Sequence, residues 1–538
     1  MPTPLSHLPK RAHLFVATAI LLASYFASAQ DAITTYHVDN NRTGWNSHET
    51  ILTPANVTSS TFGLLQTVVL DNSVDSQPLF VPGVTISTGA HQGVHDVVYV
   101  ATENNTIYAI DAESGTILLS PNFGAPATRP PACGNTVESV GITSTPVIDL
   151  TTRTMYVMID TQDTTGPNYR LHALDLASLT DKVTPEIVSA THTLVGGGTF
   201  TFSAANYRQR PGLLLANGNV YAAFGSFCDS AVSATRGMVL GWATGTLAPL
   251  PNNAITDTQV TSPHDYFLSS IWMSGYALSA DDSGNILFVT GNSDPSGTTY
   301  DGITDIQESV VKVSPDLSTM LDIFTPFNQP QLDKQDGDFG AGGVMVVPDQ
   351  PGTVPHLAVA AGKTGSMFLM NEDNLGGFSQ KSNNVLGTFG IGRCFCGPAY
   401  FVDPSDGIGR VVTSGGFNVL VFKINAGTKK TTLGQVATSP SIVVAKNHYG
   451  FFTAISSNGT ANPIIWAVSR PTSQVNSPVY LYAFNPESVT GGVMQQLVDL
   501  QAGNANSNNV PVVANGEVFV ASQQQLRIFG LLQTARKK

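Results

Sequence analysis

The chain has 538 residues, of which 12% are charged and 42% are hydrophobic. Its net charge of −13 argues against a nucleic-acid partner, because neutralisation of phosphates requires Lys and Arg. The 50 Gly and 32 Pro residues, combined with this hydrophobic content, favour an all-β globular protein and argue against a disordered one.

The first 29 residues have the pattern of a secretory signal. Lys10 and Arg11 precede an apolar run over residues 14–26, and Ala-Ser-Ala at 27–29 matches a small-x-small cleavage site. The apolar run is too short to span a membrane as a mature helix. We therefore expect cleavage near Ala29 and a secreted or periplasmic mature chain without a transmembrane segment. An uncleaved N-terminal anchor is the alternative.

An irregular polar lead-in over residues 30–63 and a spare β-run over 64–70 follow the signal. A two-part pattern then recurs eight times, in which a short β-rich run is followed by a turn and by a second run that usually ends in Asp or Asn. The paired runs are 96–100 with 108–111, 154–157 with 172–175, 219–222 with 238–241, 286–289 with 310–313, 356–359 with 368–371, 410–413 with 422–425, 463–466 with 482–485, and 517–520 with 527–530.

This repetition predicts an all-β fold, namely an eight-bladed β-propeller of four-stranded antiparallel blades. A repeat of roughly 50–70 residues is close to the period of propeller blades. A four-stranded sheet cannot bury both faces alone, so the blades must stack around a ring. We expect one propeller over residues 64–531 and a polar tail over 532–538. The run at 64–70 would supply the outer strand of the last blade by pairing with 525–529. Seven blades plus an appended hairpin is the alternative.

The four cysteines do not form a disulfide scaffold in a chain of this length. Cys133, Cys228, Cys394 and Cys396 allow three connectivities, which the sequence leaves open. Only Phe395 separates the last two, so a bridge between them would be strained, and we do not predict one. Covalent haem is not expected, because the sequence contains no Cys-x-x-Cys-His.

Residues 96–115, Asp-Val-Val-Tyr-Val-Ala-Thr-Glu-Asn-Asn-Thr-Ile-Tyr-Ala-Ile-Asp-Ala-Glu-Ser-Gly, resemble the repeat of the pyrroloquinoline quinone (PQQ) enzymes. The resemblance covers nearly all of the mature chain and implies the propeller of the quinoprotein alcohol dehydrogenases. That repeat normally ends in a Trp that docks neighbouring blades, and Leu119 stands in its place here.

Four further segments resemble functional segments of that family and occur in the same order. The match of Ser-Ile-Trp-Met-Ser-Gly-Tyr-Ala assigns Trp272 to the floor under PQQ, and that of Phe-Val-Thr-Gly-Asn assigns Asn292 to a calcium ion. Asp-Gly-Asp at Asp336 and Asp338 resembles the segment with the catalytic base, for which Asp338 is favoured. Ala-Gly-Lys-Thr-Gly assigns Lys363 to the quinone oxygens.

These residue types suit the implied chemistry. A carboxylate takes the proton of a substrate hydroxyl, a lysine stabilises the charge that develops on the reduced quinone, and an aromatic ring offers a stacking platform. Calcium prefers oxygen ligands and polarises a carbonyl. Each residue also has a purely structural explanation. Trp272 can be a buried aromatic of a blade, and Lys363 can be a solvated residue of a hairpin. Asn292, Asp336 and Asp338 can be ordinary turn residues.

Two departures from the family pattern leave the function open. Asp229 stands where the family supplies a Glu to calcium, and Cys133 stands alone where the family often has two adjacent cysteines followed by an Arg. The sequence therefore supports two functions. One is a PQQ- and calcium-dependent oxidoreductase that acts on an alcohol or sugar outside the cytoplasm. The other is a catalytically inactive propeller that binds envelope proteins as a scaffold.

Overall fold

The described strands group into sets of four with antiparallel neighbours, and these sets follow one another along the chain. A single parallel pairing, of Thr438 with Val493, joins the sixth and seventh sets into one continuous sheet. The computed structural model describes Met1 and residues 32–130, 139–227, 235–259, 267–294, 298–427, 430–442, 450–469, 477–504 and 510–532. We number the sheets 1 to 8 in chain order of their first strands.

Sheet 1 contains the strands Leu79–Ile86, Gly93–Ala101, Ile107–Asp111 and Ile117–Leu119, and sheet 2 contains Val147–Asp149, Thr154–Asp163, Gly166–Asp175 and Glu186–Ile187. Sheet 3 contains Leu214–Ala216, Asn219–Ser226, Met238–Ala243 and Ala254–Ile255, and sheet 4 contains Ser279–Ala280, Ile286–Val289, Val310–Val313 and Met320–Thr325. Sheet 5 contains the strands Val344–Val347, Leu357–Ala361, Ser366–Asn371 and Gly387–Gly390, and sheet 6 contains Ala399–Asp403, Ile408–Gly415, Asn418–Ala426 and Thr431–Thr438. Sheet 7 contains Phe452–Asn458, Ala461–Val468, Pro478–Thr490 and Val493–Asn504, and sheet 8 contains Val512–Ala514, Glu517–Ser522, Gln525–Leu531 and Phe62–Val69.

The remaining elements are short. Tyr207–Arg208 pairs with sheet 3, Gly377–Phe378 with sheet 4 and Trp45–Asn46 with sheet 7, while separate pairs join Ala127–Thr128 to Ser139–Val140, Thr191–Thr193 to Thr199–Thr201 and Thr235–Arg236 to Phe267–Leu268. One α-helix, Gln329–Lys334, and the 3₁₀ turns Ala204–Asn206, Met273–Gly275 and Phe339–Ala341 complete the described elements. In the described part of the chain, no helix is long and apolar enough to cross a membrane.

The sheets stack face to face, which explains why their central strands are apolar on both sides. In the second strand of sheet 1, Val97 and Tyr99 belong to a core that includes Met155 of sheet 2. Val98, which points to the opposite face, belongs to the core that includes Phe519 of sheet 8. Because side chains alternate between the faces of a strand, a continuous apolar run serves two interfaces. The all-β expectation and the propeller-like stacking of sheets are confirmed.

The strand Phe62–Val69 closes the ring by pairing with the last strand, Gln525–Leu531. The pairing is antiparallel and runs from Phe62 opposite Leu531 to Val69 opposite Gln525, with one irregularity near Leu64. The predicted pairing of the spare run with the strand over 525–529 is therefore confirmed.

The N-terminal residues 33–47, which we call the inner segment, contact the first strand of each sheet or the residue just before it. The contacts follow sheet order: Ile33 with Phe80, Thr34 with Ile148, Asn40 with Leu215 and with Ala280, Asn41 with Val346, Thr43 with Tyr400, Gly44 with Ile455, and Asn46 with Val513. A segment this short reaches all these strands only if they surround a common axis. The lead-in was expected to pack on the ring, and this part of it runs inside.

Arg42 fixes the inner segment. Its side chain is 0% exposed and donates through Nε to Leu278 O at 2.7 Å, and through Nη1 to Thr35 Oγ1 at 2.8 Å and to Tyr36 O at 2.9 Å. Burial lowers the pKa of Arg42 to about 10, so its charge persists at neutral pH. Carbonyl oxygens thus compensate a buried cation at the centre of the ring.

Candidate functional site

The residues singled out by sequence lie at one end of sheets 4 and 5. Trp272 and Asp338 precede the first strands of these sheets, whereas Asn292 and Lys363 follow the second strands. In an antiparallel sheet, the start of the first strand and the end of the second lie at the same edge. The chain therefore brings the four residues to the same side of two adjacent sheets.

Lys363 bridges the two aspartates of the Asp-Gly-Asp segment. Its Nζ lies 2.8 Å from Asp336 Oδ2 and 2.9 Å from Asp338 Oδ2. Side-chain exposure is 16% for Lys363, 60% for Asp336 and 6% for Asp338. Lys363 is therefore not a solvated hairpin residue, and Asp338 is not a solvated turn carboxylate. Asp336 does remain largely in solvent.

Asp338 is the carboxylate with catalytic potential. Its Oδ1 is buried and makes no hydrogen bond to any described residue. Burial raises the pKa of Asp338 to about 7, Lys363 acts in the lowering direction, and Asp336 adds to the rise. A general base is most effective with a pKa near the working pH. Its φ of 27° is a strained backbone conformation of the kind that clusters at functional sites.

The loops that carry Trp272, Asn292 and Asp338 meet through glycines. A Cβ on Gly291 would lie 3.3 Å from both Asp338 Oδ1 and Trp272 Nε1, so these two polar atoms flank the same residue. A Cβ on Gly340 would lie 2.4 Å from the backbone nitrogen of Gly291. Only a glycine at position 340 permits this contact between the two loops. The contact holds the Asp338 carboxylate near the Trp272 indole.

Phe395 lies next to both Trp272 and Lys363. Its ring centroid lies 6.2 Å from that of Trp272 at an interplanar angle of 49°, and the Lys363 ammonium is 5.9 Å from its centre. A disulfide joins the flanking Cys394 and Cys396, a pairing that the sequence left open. Their Cα atoms are 5.3 Å apart, within the usual range for a disulfide, so the short spacing does not prevent the bridge.

Glu308 is a buried acid at this site that sequence reasoning missed. Its backbone N–H donates to Gly291 O at 3.0 Å, and its carboxyl accepts from the N–H of Phe339, directly after Asp338. Burial and, secondarily, Asp338 raise its pKa well above the usual range. Its other oxygen has no partner among the described residues. No family motif marks Glu308. Its only sequence signal is an acid two residues before an apolar strand in a chain with few charges.

No protein-family model and no curated protein matches the chain. Its structure, however, resembles that of a quinohemoprotein alcohol dehydrogenase from Comamonas testosteroni, with a TM-score of 0.58 and 12% identity over 93% of this chain and 80% of the other. The fold is that of the quinoprotein alcohol dehydrogenases. A europium-containing methanol dehydrogenase shares this quinoprotein fold, with a TM-score of 0.59 and 10% identity over 93% of this chain and 98% of the other. A quinohemoprotein alcohol dehydrogenase from Pseudomonas putida HK5 does so with a TM-score of 0.57 and 12% identity, over 93% and 80%.

Asn292, the expected calcium ligand, directly follows Gly291, which lies beside Trp272 and Asp338. Asn292 is buried, and the next residue, Ser293, donates through its N–H to Asp333 Oδ1 at 2.7 Å. Asp229, the other expected calcium ligand, and Cys133 lie outside the described residues. Within the described ranges, no group of three or more His, Cys, Asp or Glu residues could hold a metal ion.

Proposed function

We propose that this chain is a PQQ-dependent oxidoreductase that acts on an alcohol or sugar outside the cytoplasm. One observation carries the proposal. A buried carboxylate with a pKa near 7, that of Asp338, has a free oxygen beside the Trp272 indole and an ion pair to Lys363. This combination joins a base poised for neutral pH to an aromatic platform and a cation.

The described residues offer suitable contacts for PQQ. Trp272 is half-buried and therefore has part of its ring available for stacking, and the Lys363 ammonium can face quinone oxygens. Phe395 lies beside Trp272 and would contact the edge of a ligand on that ring. These features fit a flat, anionic ring compound. When bound, PQQ would supply the acceptor for two electrons.

The chain's own residues would handle the proton and the charge. Asp338 Oδ1 would accept the hydroxyl proton of the substrate. No hydrogen bond between this oxygen and a described residue has to break first. Lys363 would stabilise negative charge next to the ring, since a preorganised cation in a poorly solvated site acts strongly. Glu308 would hold the Asp338 backbone through the N–H of Phe339.

The finer parts of the proposal concern calcium, blade number and export. We infer that Asn292 and Asp229 share a calcium ion, and that each of the eight sheets is one blade of a single ring. We also infer that the signal is cleaved near Ala29. Mass spectrometry of exported protein tests the cleavage, and recovery of peptides from residues 1–29 on the mature protein would contradict it.

Dye-linked oxidation tests the activity. Mature protein reconstituted with PQQ and calcium should reduce an artificial electron acceptor in the presence of primary alcohols or aldoses. Asp338→Asn should lower this rate by about 100-fold or more, which is the usual contribution of a general base. Asp282→Asn, at an exposed turn position, is the matched control and should keep the rate. An unchanged rate in Asp338→Asn would contradict the assignment of the base.

A further inference from the structure

The proposed base needs a way to lose its proton. Each oxidation would leave the hydroxyl proton of the substrate on Asp338, which must ionise again before the next turnover. The Asp338 side chain is only 6% exposed, so water reaches it poorly. A more exposed acid within hydrogen-bond reach would provide a path for the proton. Among the described residues, Asp336 and Glu308 are the acids whose charges interact with Asp338 most strongly.

Glu308 does not provide a path to solvent. It is 0% exposed, and one of its carboxyl oxygens accepts a hydrogen bond from the N–H of Phe339. Burial, and next the charge of Asp338, raise the pKa of Glu308 well above its usual range, so Glu308 already holds a proton at neutral pH. Asp336, by contrast, has 60% of its side chain exposed. Of these two acids, only Asp336 connects Asp338 to water.

Asp336 and Asp338 lie side by side on one ammonium group. Lys363 Nζ is 2.8 Å from Asp336 Oδ2 and 2.9 Å from Asp338 Oδ2. Burial raises the pKa of Asp338 against the lowering effect of Lys363, and the charge of Asp336 and a hydrogen bond with its side chain add to the rise. A hydrogen bond between two carboxyl groups requires that one of them is protonated. The protonated form of Asp338 can therefore donate directly to Asp336.

The backbone holds the two carboxyl groups in this arrangement. Asp336 and Asp338 have φ values of 53° and 27°, in the left-handed region that side chains other than glycine rarely adopt. The N–H of Gly337 donates to Leu332 O at 2.7 Å, and a Cβ on Gly337 would lie 2.9 Å from Leu332 Cα. The N–H of Lys363 donates to Asp338 O at 3.1 Å. Strained backbone of this kind clusters at functional sites.

Lys363 remains a cation while a proton moves between the carboxyl groups. Burial acts to lower the pKa of Lys363, but the carboxylates of Asp338 and Asp336 raise it above its ordinary value. The ammonium group therefore keeps its protons and fixes both carboxyl groups. Whichever carboxyl is ionised remains paired with Lys363, so the transfer leaves no buried charge without a partner.

We propose that Asp336 is the proton-release residue of this site, which takes the proton from Asp338 after each oxidation and passes it to solvent. In the first step, the O–H bond on Asp338 breaks and an O–H bond forms on Asp336. In the second step, that bond breaks and the proton passes to water or to a buffer base. No electrons move in either step. This two-step transfer, which we call the relay, rests on the proposed function for the source of the proton.

The buffer dependence of dye-linked oxidation tests the relay. The rates are compared at constant ionic strength and above the pH inflections of all variants, where Asp338 is ionised. In dilute buffer, Asp336→Asn should lower kcat about tenfold or more and leave KM unchanged, because a positioned proton-transfer group is lost. Added imidazole should restore the rate, since a small base can replace the carboxylate. Asp282→Asn, at an exposed turn position, is the matched control and should be neither slowed nor accelerated by imidazole.

The relay can also be followed in the protein without PQQ. Infrared spectroscopy detects the C=O band of a protonated carboxyl group, and comparison with Asp338→Asn identifies the part of the band that belongs to Asp338. After a photolytic pH jump from below to above the pKa of Asp338, this band should decay about tenfold more slowly in Asp336→Asn than in the wild type. Imidazole should restore the faster decay.

The outcomes separate the relay from the proposed function. If the wild type oxidises alcohols or aldoses and Asp336→Asn matches it in kcat and in band decay, the relay is wrong and the PQQ proposal stands. If the wild type shows no oxidation but the band decays more slowly in Asp336→Asn, the relay stands and the PQQ proposal fails. A loss of kcat that imidazole does not restore would mean a structural role for Asp336 and would contradict the relay. Absence of oxidation together with equal band decay contradicts both.

Discussion

Lys363 donates a hydrogen bond of 2.9 Å to Asp338 Oδ2, and this contact joins adjacent loops of sheet 5. The same lysine also pairs with Asp336. Burial raises the pKa of Asp338, and Lys363 limits the rise, so this pKa stays at about 7 and the carboxyl can still ionise at neutral pH. The pair therefore sets the protonation of the proposed base.

The pH dependence of oxidation should follow Asp338. Since only its carboxylate can accept a proton, the rate should rise with pH through an inflection near 7. Asp336 raises and Lys363 lowers the pKa of Asp338. Asp336→Asn should therefore move the inflection of the kcat profile to lower pH, and Lys363→Gln should move it to higher pH. Shifts in the same direction would contradict this electrostatic account.

Closure of the ring should depend on one face of the strand Phe62–Val69. Val68 is 6% exposed and packs in the core between sheets 8 and 1, whereas its neighbour Val69 is 75% exposed. Val68→Asp should lower the free energy of unfolding by about 3 kcal/mol or more, because it buries a charge. Val69→Asp is the control and should stay within about 0.5 kcal/mol. Equal effects in thermal unfolding would contradict the closure.

The inner segment should depend on Arg42. Its truncation leaves several buried carbonyl oxygens, including those of Leu278 and Tyr36, without a donor. We expect Arg42→Ala to cost about 3 kcal/mol or more in chemical denaturation, since each buried unsatisfied group costs about 1–3 kcal/mol. Arg153→Ala, at an exposed position, should cost about 0.5 kcal/mol or less. A small effect of Arg42→Ala would mean that the inner segment is dispensable.

The repeats were readable from sequence because each central strand is a short apolar run, and the spare run before the first repeat revealed the closure. Trp272, Asp338 and Lys363 were predicted through resemblance to family segments, and the structure brings them to one end of sheets 4 and 5. Arg42 was not found, because its partner Leu278 lies 236 residues away and is a backbone carbonyl that no side-chain pattern encodes. Phe395 and Glu308 were missed for a similar reason, since their roles arise from the way loops of sheets 4, 5 and 6 meet.

Tyr276 shows how the site and the centre of the ring are connected. Its hydroxyl lies 2.9 Å from Pro398 O and 3.1 Å from Arg42 O, and its ring packs edge-on against Tyr36 of the inner segment. It directly follows the turn Met273–Gly275 after Trp272. The inner segment therefore braces the loop on which the proposed stacking platform depends.

Thermal unfolding in the presence of saturating PQQ and calcium tests the central claim most directly. A ligand that binds only the folded chain stabilises it by about 2.7 kcal/mol at 100 times its Kd. The account predicts a clear rise in Tm for the wild type, and loss of most of that rise in Trp272→Ala, because the stacking platform is removed. No rise in the wild type would contradict a PQQ enzyme and favour a propeller that binds envelope proteins. An undiminished rise in Trp272→Ala would place the ligand elsewhere.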